Sequence, residues 1–187
     1  LTYAYATNSN KLLSVTDSIT DNTDVGDFRD GNTSGNDYEY WPNGSLKKDL
    51  NKAMTADISY NYLELTTQVT TANGTLQTWY DGAGGKLRKT VNGTTTDYVG
   101  EMILGSNQIY QLVHGEGRAV PNGGSWLLEF NYLDHLGNLR LAFRDSLGSA
   151  VSGVYPPPVI TQINAYADFG MPLRGLDYTN SSQSNKF

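Results

Sequence analysis

Acidic side chains are the first candidates for chemistry in this sequence. Asp21, Asp24, Asp27 and Asp30 recur at every third position. A calcium loop of the EF-hand kind places its ligands at alternate positions and closes on a glutamate. This run does neither and reads as a solvated loop. Asp134 with Glu116 or Glu129 offers two carboxylates, the pair a glycoside hydrolase needs. Sequence supplies no separation between them, and carboxylates on a repetitive sheet face solvent or cap turns. His114 and His135 are the sole histidines. Zinc requires three or four nitrogen, sulfur or oxygen ligands, and nothing nearby completes a set; His135 is expected to hydrogen-bond a turn. Asp168-Phe169-Gly170 repeats the kinase metal-binding triplet without the glycine-rich loop, strand lysine and catalytic loop that a kinase also needs. Gly82-Ala83-Gly84-Gly85 lacks the following Lys-Ser/Thr and the helix of a phosphate cradle, so it reads as a hairpin turn. Trp41, Trp79, Trp126 and the tyrosines could form a sugar-binding platform. Cross-strand ladders use the same residue types, and the spacing favours the ladder. The Asn-x-Ser/Thr triplets at Asn32, Asn43, Asn73, Asn92 and Asn180 read as turns. These residues give no catalytic site, no metal site and no cofactor.

The elements that must carry these residues are strands. The chain has 187 residues, with 20 Gly and 13 Tyr. Glycine supplies the positive φ of tight turns, and tyrosine suits a half-buried pleated face. Charged residues make up 17% and hydrophobic residues 38%, which does not suggest a disordered acidic tail. The net charge is −6 with 13 scattered Lys and Arg, which argues against a nucleic-acid partner. Cysteine is absent, so there are neither disulfides nor thiolate metal sites. No apolar run approaches the roughly 20 residues of a membrane-spanning helix, so no direct membrane insertion is expected. The chain begins with Leu1 inside a strand-like run, and a processed or partial chain is expected.

A repeat runs along the chain. Tyr5 to Leu12, Tyr62 to Val69, Tyr80 to Leu87 and Tyr132 to Leu139 are each seven steps, and Tyr40 to Leu46 is six. Starts at Tyr5, Tyr40, Tyr62 and Tyr80 give spacings that include 22 and 18 residues. Tyr3-Ala4-Tyr5, Tyr38-Glu39-Tyr40 and Tyr60-Asn61-Tyr62 alternate with the period of a strand. Asn43-Gly44, Asn73-Gly74 and Asn92-Gly93 are strong hairpin signals. Turns are expected at Asn8 to Asn10, Asn43-Gly44, Thr66-Thr67, Gly82 to Gly85 and Leu136 to Asn138. Each unit is then a hairpin of about 20 residues, barely stable alone, which must pair with its neighbours. The segment Leu46 to Met54 could add a helical turn, although Lys47-Lys48-Asp49 reads equally as a solvated strand edge. Pro156-Pro157-Pro158 favours polyproline II and marks a boundary.

Tyr80-Asp81-Gly82-Ala83-Gly84-Gly85-Lys86-Leu87 resembles the tyrosine-aspartate (YD) repeat of bacterial Rhs proteins. Tyr132-Leu133-Asp134-His135-Leu136-Gly137-Asn138-Leu139-Arg140 is similar to the core segment that follows those repeats, and Phe169-Gly170-Met171-Pro172 to a stretch further into it. The resemblance places repeat positions at Tyr5, Tyr40, Tyr62, Tyr80, Asp81, Gly84 and Leu87. It places core positions at Tyr132, Asp134, His135, Gly137, Asn138 and Arg140, and tail positions at Phe169, Gly170 and Pro172. Gly84-Gly85 stands where the family often has Gly-Asn, and Trp41-Pro42 departs from the pattern. The division it implies is 1–96 for repeats, 97–154 for the core-associated segment and 155–187 for a tail. The implied fold is all-β, with stacked hairpins forming a spiralling sheet that is part of a hollow shell. The implied function is structural: a shell segment that encloses or presents a C-terminal effector or toxin of the same parent chain. A surface adhesin or carbohydrate-binding module is the alternative. The Asp-His-Leu-Gly-Asn wording is similar to that of proteins exported by type IX secretion. This implies a secreted or cell-surface location in a didermal bacterium and a secretion apparatus as partner. The family's self-cleavage aspartates would lie beyond Phe187, so no proteolytic activity falls to a residue of this chain.

Overall fold

The computed structural model describes residues 1–17, 28–106, 108–146, 156–166, 170, 172–173 and 176–179. The expectations for Asp21, Asp24, Asp27, Asp168, Phe169, Met171 and Asn180 lie outside the described residues. The chain is all-β. It divides into two compact units, one up to Tyr98 and one from Val99 onward.

The first unit carries β1 (Thr2–Tyr5), β2 (Leu12–Thr16), β3 (Tyr38–Tyr40), β4 (Leu46–Asp49), β5 (Ser59–Tyr60), β6 (Thr66–Thr71), β7 (Gly74–Tyr80), β8 (Lys86–Val91) and β9 (Thr94–Val99). β1 pairs with β2 and β3 with β4, while β5 to β9 pair in chain order, all antiparallel. The Asn92-Gly93 turn has φ of 49° and 84° at its two residues, the doubly positive backbone that suits a twisted two-residue hairpin. Asn73-Gly74 behaves differently. The turn there is Ala72-Asn73, and Gly74 already opens β7 opposite Thr71. Position 74 has no room for a side chain, since a Cβ there would sit 1.8 Å from Asn92 Oδ1. Asn92 uses that space: its Oδ1 accepts the Thr75 N–H at 2.9 Å and its Nδ2 donates to Asn73 O at 3.2 Å.

The second unit carries β10 (Met102–Gly105), β11 (Gln108–His114), β12 (Gly117–Asn122), β13 (Ser125–Leu133), β14 (Leu139–Arg144), β15 (Val159–Ile163) and β16 (Tyr178–Thr179). These also pair antiparallel in chain order. Antiparallel partners share a face, so register decides what each side of the sheet presents. One face of β11 to β15 gathers Gln111, Arg118, Glu129 and Arg144; the other gathers His114, Phe130, Phe143 and Ile160.

The core is thin in both units. Buried apolar side chains are Val15, Met54 and Ile58 in the first and Ala119, Val120, Leu127 and Ala142 in the second. Two expectations are corrected. Leu46 to Met54 holds no helix: it is β4, a turn, and a bridge from Met54 to Thr71. Asp49 is not part of a solvated edge but is buried, because the turn folds over it and the Lys52 N–H donates to its Oδ1 at 3.3 Å.

Candidate functional site

What the sequence singled out becomes a recurring loop. In Trp41–Ser45, Asn61–Leu65, Asp81–Gly85 and Asp134–Asn138 the same two backbone bonds close a five-residue turn. The first N–H donates to the fifth carbonyl at 2.8, 3.0, 2.8 and 2.9 Å, and the fourth N–H to the first carbonyl at 2.9, 3.0, 3.2 and 3.0 Å. The fourth residue always has positive φ: Gly44 at 93°, Glu64 at 58°, Gly84 at 91° and Gly137 at 84°. Ala6 to Lys11 closes a variant one residue longer, with Asn8 at φ 57°.

The side chain of the first loop residue explains why aspartate recurs there. Asp81 Oδ1 accepts the N–H groups of Ala83 and Gly85, both at 2.8 Å. Asn61 Oδ1 does the same for Leu63 and Leu65, both at 3.0 Å. Asp134 Oδ1 takes Leu136 at 3.0 Å and Asn138 at 2.9 Å. Asp134 Oδ2 adds Asn138 Nδ2 at 3.1 Å and Arg140 Nε at 2.9 Å. Burial pushes the Asp134 carboxyl up, but the bonds from Asn138, Leu136 and Arg140 outweigh it and hold the group at about 2. A depressed carboxyl stabilises the fold above its free value of 3.8, and that contribution is lost as pH falls through about 2. Asp134→Asn is therefore expected to remove a pH-dependent part of stability. The difference between the two proteins should be steady above 3.8 and shrink toward about 2, measured by denaturant unfolding across that range. A difference that stays constant throughout would contradict this role.

Each loop is followed by a β-bulge on the strand that it opens. The ladder slips at Ala4/Tyr5, Glu39/Tyr40, Ser59/Tyr60, Trp79/Tyr80 and Tyr132/Leu133. A bulge leaves an extra residue outside the ladder, and nearby carbonyls need partners from elsewhere. Tyrosines of the next hairpin supply them. Tyr40 OH donates to Leu12 O at 2.9 Å, Tyr60 OH to Leu46 O at 2.6 Å and Tyr80 OH to Thr66 O at 3.1 Å. Asn164 Nδ2 donates in the same way to Leu139 O at 2.9 Å. Side chains also cover two breaks between hairpins in the first unit. Asp37 Oδ2 accepts the Val15 N–H at 2.7 Å, and Trp41 Nε1 donates to Ile58 O at 3.1 Å. Asp37 is buried, which raises its carboxyl, but the bonds from Val15, Asn32 and Asn51 bring it below the ordinary value.

This geometry shifts two of the repeat positions. The third repeat begins at Tyr60, not Tyr62; Tyr62 is the second residue of the loop and is 78% exposed. The true starts Tyr40, Tyr60 and Tyr80 are 20 residues apart. Accordingly Thr66-Thr67 is strand, and the turn expected there lies at Asn61–Leu65. Leu87 is the bulge residue, equivalent to Arg140 and not to Leu139, because Tyr80 pairs with Lys86 as Leu133 pairs with Leu139. Tyr132 likewise stands one residue earlier than Tyr80 does in its loop, and it is exposed opposite Leu141. His135 does not bond its turn. It is exposed at the second loop position, and Asp134 closes the turn instead. Gly170 has φ 76°, and Pro172 bridges Tyr166, whose ring lies 5.1 Å from the Arg140 guanidinium carbon. Asp134, Asn138, Arg140 and the tail around Pro172 are thus brought together.

The remaining candidates are dispersed. Glu129 is buried against Arg118 Nε at 2.7 Å, and Arg118 Nη1 reaches Gln111 Oε1 at 3.0 Å. The expectation that sheet carboxylates face solvent or cap turns fails there, because Glu129 stands directly opposite Arg118 in the ladder. Asp134 is held by Arg140, so the two carboxylates are drawn to different arginines. The His114 ring packs edge-on to Phe130 and its Nδ1 accepts the Glu116 N–H at 3.3 Å. Trp79 stands opposite Arg88 and Trp126 opposite Pro121, so neither belongs to an aromatic ladder. Among the described residues no group of His, Asp or Glu could hold a metal ion. Sequence reasoning missed the tyrosine-to-carbonyl bonds, Asp37 and the Arg118–Glu129 pair.

Fold and loops together define an all-β protein built on a repeated bulged hairpin. No protein-family model matches the chain, and no curated protein matches it either.

Proposed function

We propose that the chain is a wall segment of a large exported repeat protein of the Rhs type, in which the sheet winds into a shell around an effector on the same polypeptide. The observation that carries this reading is the bulged hairpin recurring at Tyr40, Tyr60 and Tyr80, each tyrosine bonded to the carbonyl beside the preceding bulge. Such a device ties each hairpin to the last and can be repeated along a longer chain. The conspicuous carboxylates Asp81 and Asp134 are taken up in closing turns, which suits a wall and not a catalyst. Secretion to the surface of a didermal bacterium, with the secretion apparatus as partner, belongs to this reading.

The test is protease protection of the enclosed part in the whole parent protein. Removing one neutral hydrogen bond costs about 1 kcal/mol, so Tyr60→Phe with Tyr80→Phe should make the shell leak. The effector should then be cut sooner while the wall stays folded. His114→Ala and Glu116→Ala should leave protection and effector release unchanged. Loss of release in His114→Ala with protection intact would point to an active site and overturn the reading.

A further inference from the structure

Two exposed aromatic side chains, Tyr62 and Trp79, line one cleft. It lies on β5 to β7 and has a volume of about 440 Å³, within the range of small-ligand sites. Tyr62 lines it. Its ring is 78% exposed but held, because the hydroxyl donates to Gly82 O at 3.1 Å. Trp79 also lines it and is 44% exposed. Ser59, Gln68 and Gln77 stand in one cross-strand row, two residues along β7 from Trp79. Gln77 Nε2 donates to Gln68 Oε1 at 3.2 Å, which orients both amides. Among the described residues Gln77 Oε1 has no hydrogen-bond partner, so the cleft offers acceptors as well as donors. Asp81 is the one ionisable carboxylate in its lining, and its Oδ1 is already occupied by the Ala83 and Gly85 N–H groups.

A second cleft, of about 260 Å³, lies on the far side of the same indole. Register places Trp79, Arg88 and Asp97 on the face that carries Gln68 and Gln77. Arg88 and Asp97 form a forked ion pair there, with Nη2 to Oδ2 at 3.0 Å, so that floor carries no net charge. Trp79 is therefore a ridge between two shallow, neutral, polar clefts.

We infer that this face binds a neutral polysaccharide, lying across Trp79 with sugar rings in both clefts. Exposed, fixed aromatic faces suit the C–H side of a pyranose, and oriented amides and hydroxyls suit its hydroxyl groups, which both donate and accept. A nucleic acid would need cations along its backbone, and the larger cleft has none. A proline-rich peptide also stacks on aromatic grooves, but it has few N–H groups to give to Gln77 Oε1. The inference does not depend on the wall reading.

The test is affinity electrophoresis of the whole chain in gels containing soluble β-glucan, xylan, mannan or starch, with a proline-rich peptide titrated separately by tryptophan fluorescence. At least one neutral polysaccharide should retard the protein. Trp79→Ala and Tyr62→Ala should each weaken that binding by about tenfold, equivalent to about 1.4 kcal/mol, with unchanged circular dichroism. Trp126→Ala, exposed in the second unit, should leave it unaltered. Absence of retardation in all four gels, retardation of both cleft variants equal to that of the unaltered protein, or binding of the peptide alone would each overturn the inference.

Discussion

Gly117→Ala will destabilise the second unit by about 3 kcal/mol or more, at the upper end of overpacking costs. Gly117 opens β12 opposite Phe130, and a Cβ there would lie 2.0 Å from Glu129 O and 3.0 Å from both Glu129 C and Phe130 Cα. All three are backbone atoms of β13, so no side chain can swing away. Relief requires β12 to part from β13, the pair that also carries Arg118 and Glu129. Gly115→Ala is the control, because a Cβ at Gly115 meets nothing within 4 Å. Gly137→Ala should fall between them. Its φ of 84° disfavours any Cβ by about 1–2 kcal/mol, but the space around it is open. Denaturant unfolding of the three variants should give that order. A Gly117→Ala protein as stable as Gly115→Ala would contradict the close approach of β12 and β13.

The second large effect is expected at Arg118. Its side chain and that of Glu129 are each 2% exposed. Removing one member of a buried pair leaves the other charge without its partner and costs about 3–5 kcal/mol. Replacing both members with apolar residues of similar volume is near neutral or stabilising. Arg118→Ala should therefore unfold at markedly lower denaturant, while Arg118→Met with Glu129→Leu should recover most of the loss. If the double variant is no better than Arg118→Ala, the pair is not the source of the effect. Both residues belong to a wider polar row that includes Gln111, so the coupling should appear as non-additivity in a double-mutant cycle.

The all-β class was legible because its signals are local. Asn43-Gly44, Gly82 to Gly85 and Leu136 to Asn138 announce turns by composition alone, and the structure places turns at all three. The third repeat was misread by two residues for a physical reason. Tyr60 and Tyr62 share one parity in an alternating strand, so periodicity cannot choose between them. What distinguishes them is the loop that follows Tyr60. Asn61 serves there in place of aspartate, and Glu64 takes the positive φ that glycine holds elsewhere. Neither substitution fits a glycine-and-aspartate pattern. The Arg118–Glu129 pair was invisible because it depends on register across two strands, which a shift of one residue would destroy. Asp37 follows directly on a polar, turn-rich stretch whose composition signals solvent, yet it is buried and its Oδ2 accepts the Val15 N–H. The cleft at Trp79 needed strands in register before its indole and its amide row could be seen on one face.

The central claim is that this chain is part of a closed wall. Cryo-electron microscopy of the intact parent protein, purified from its host, tests it most directly. The expected result is a hollow shell whose sheet continues through these hairpins in chain order, with density for another part of the polypeptide inside. An open sheet with both faces in solvent and nothing enclosed would contradict it.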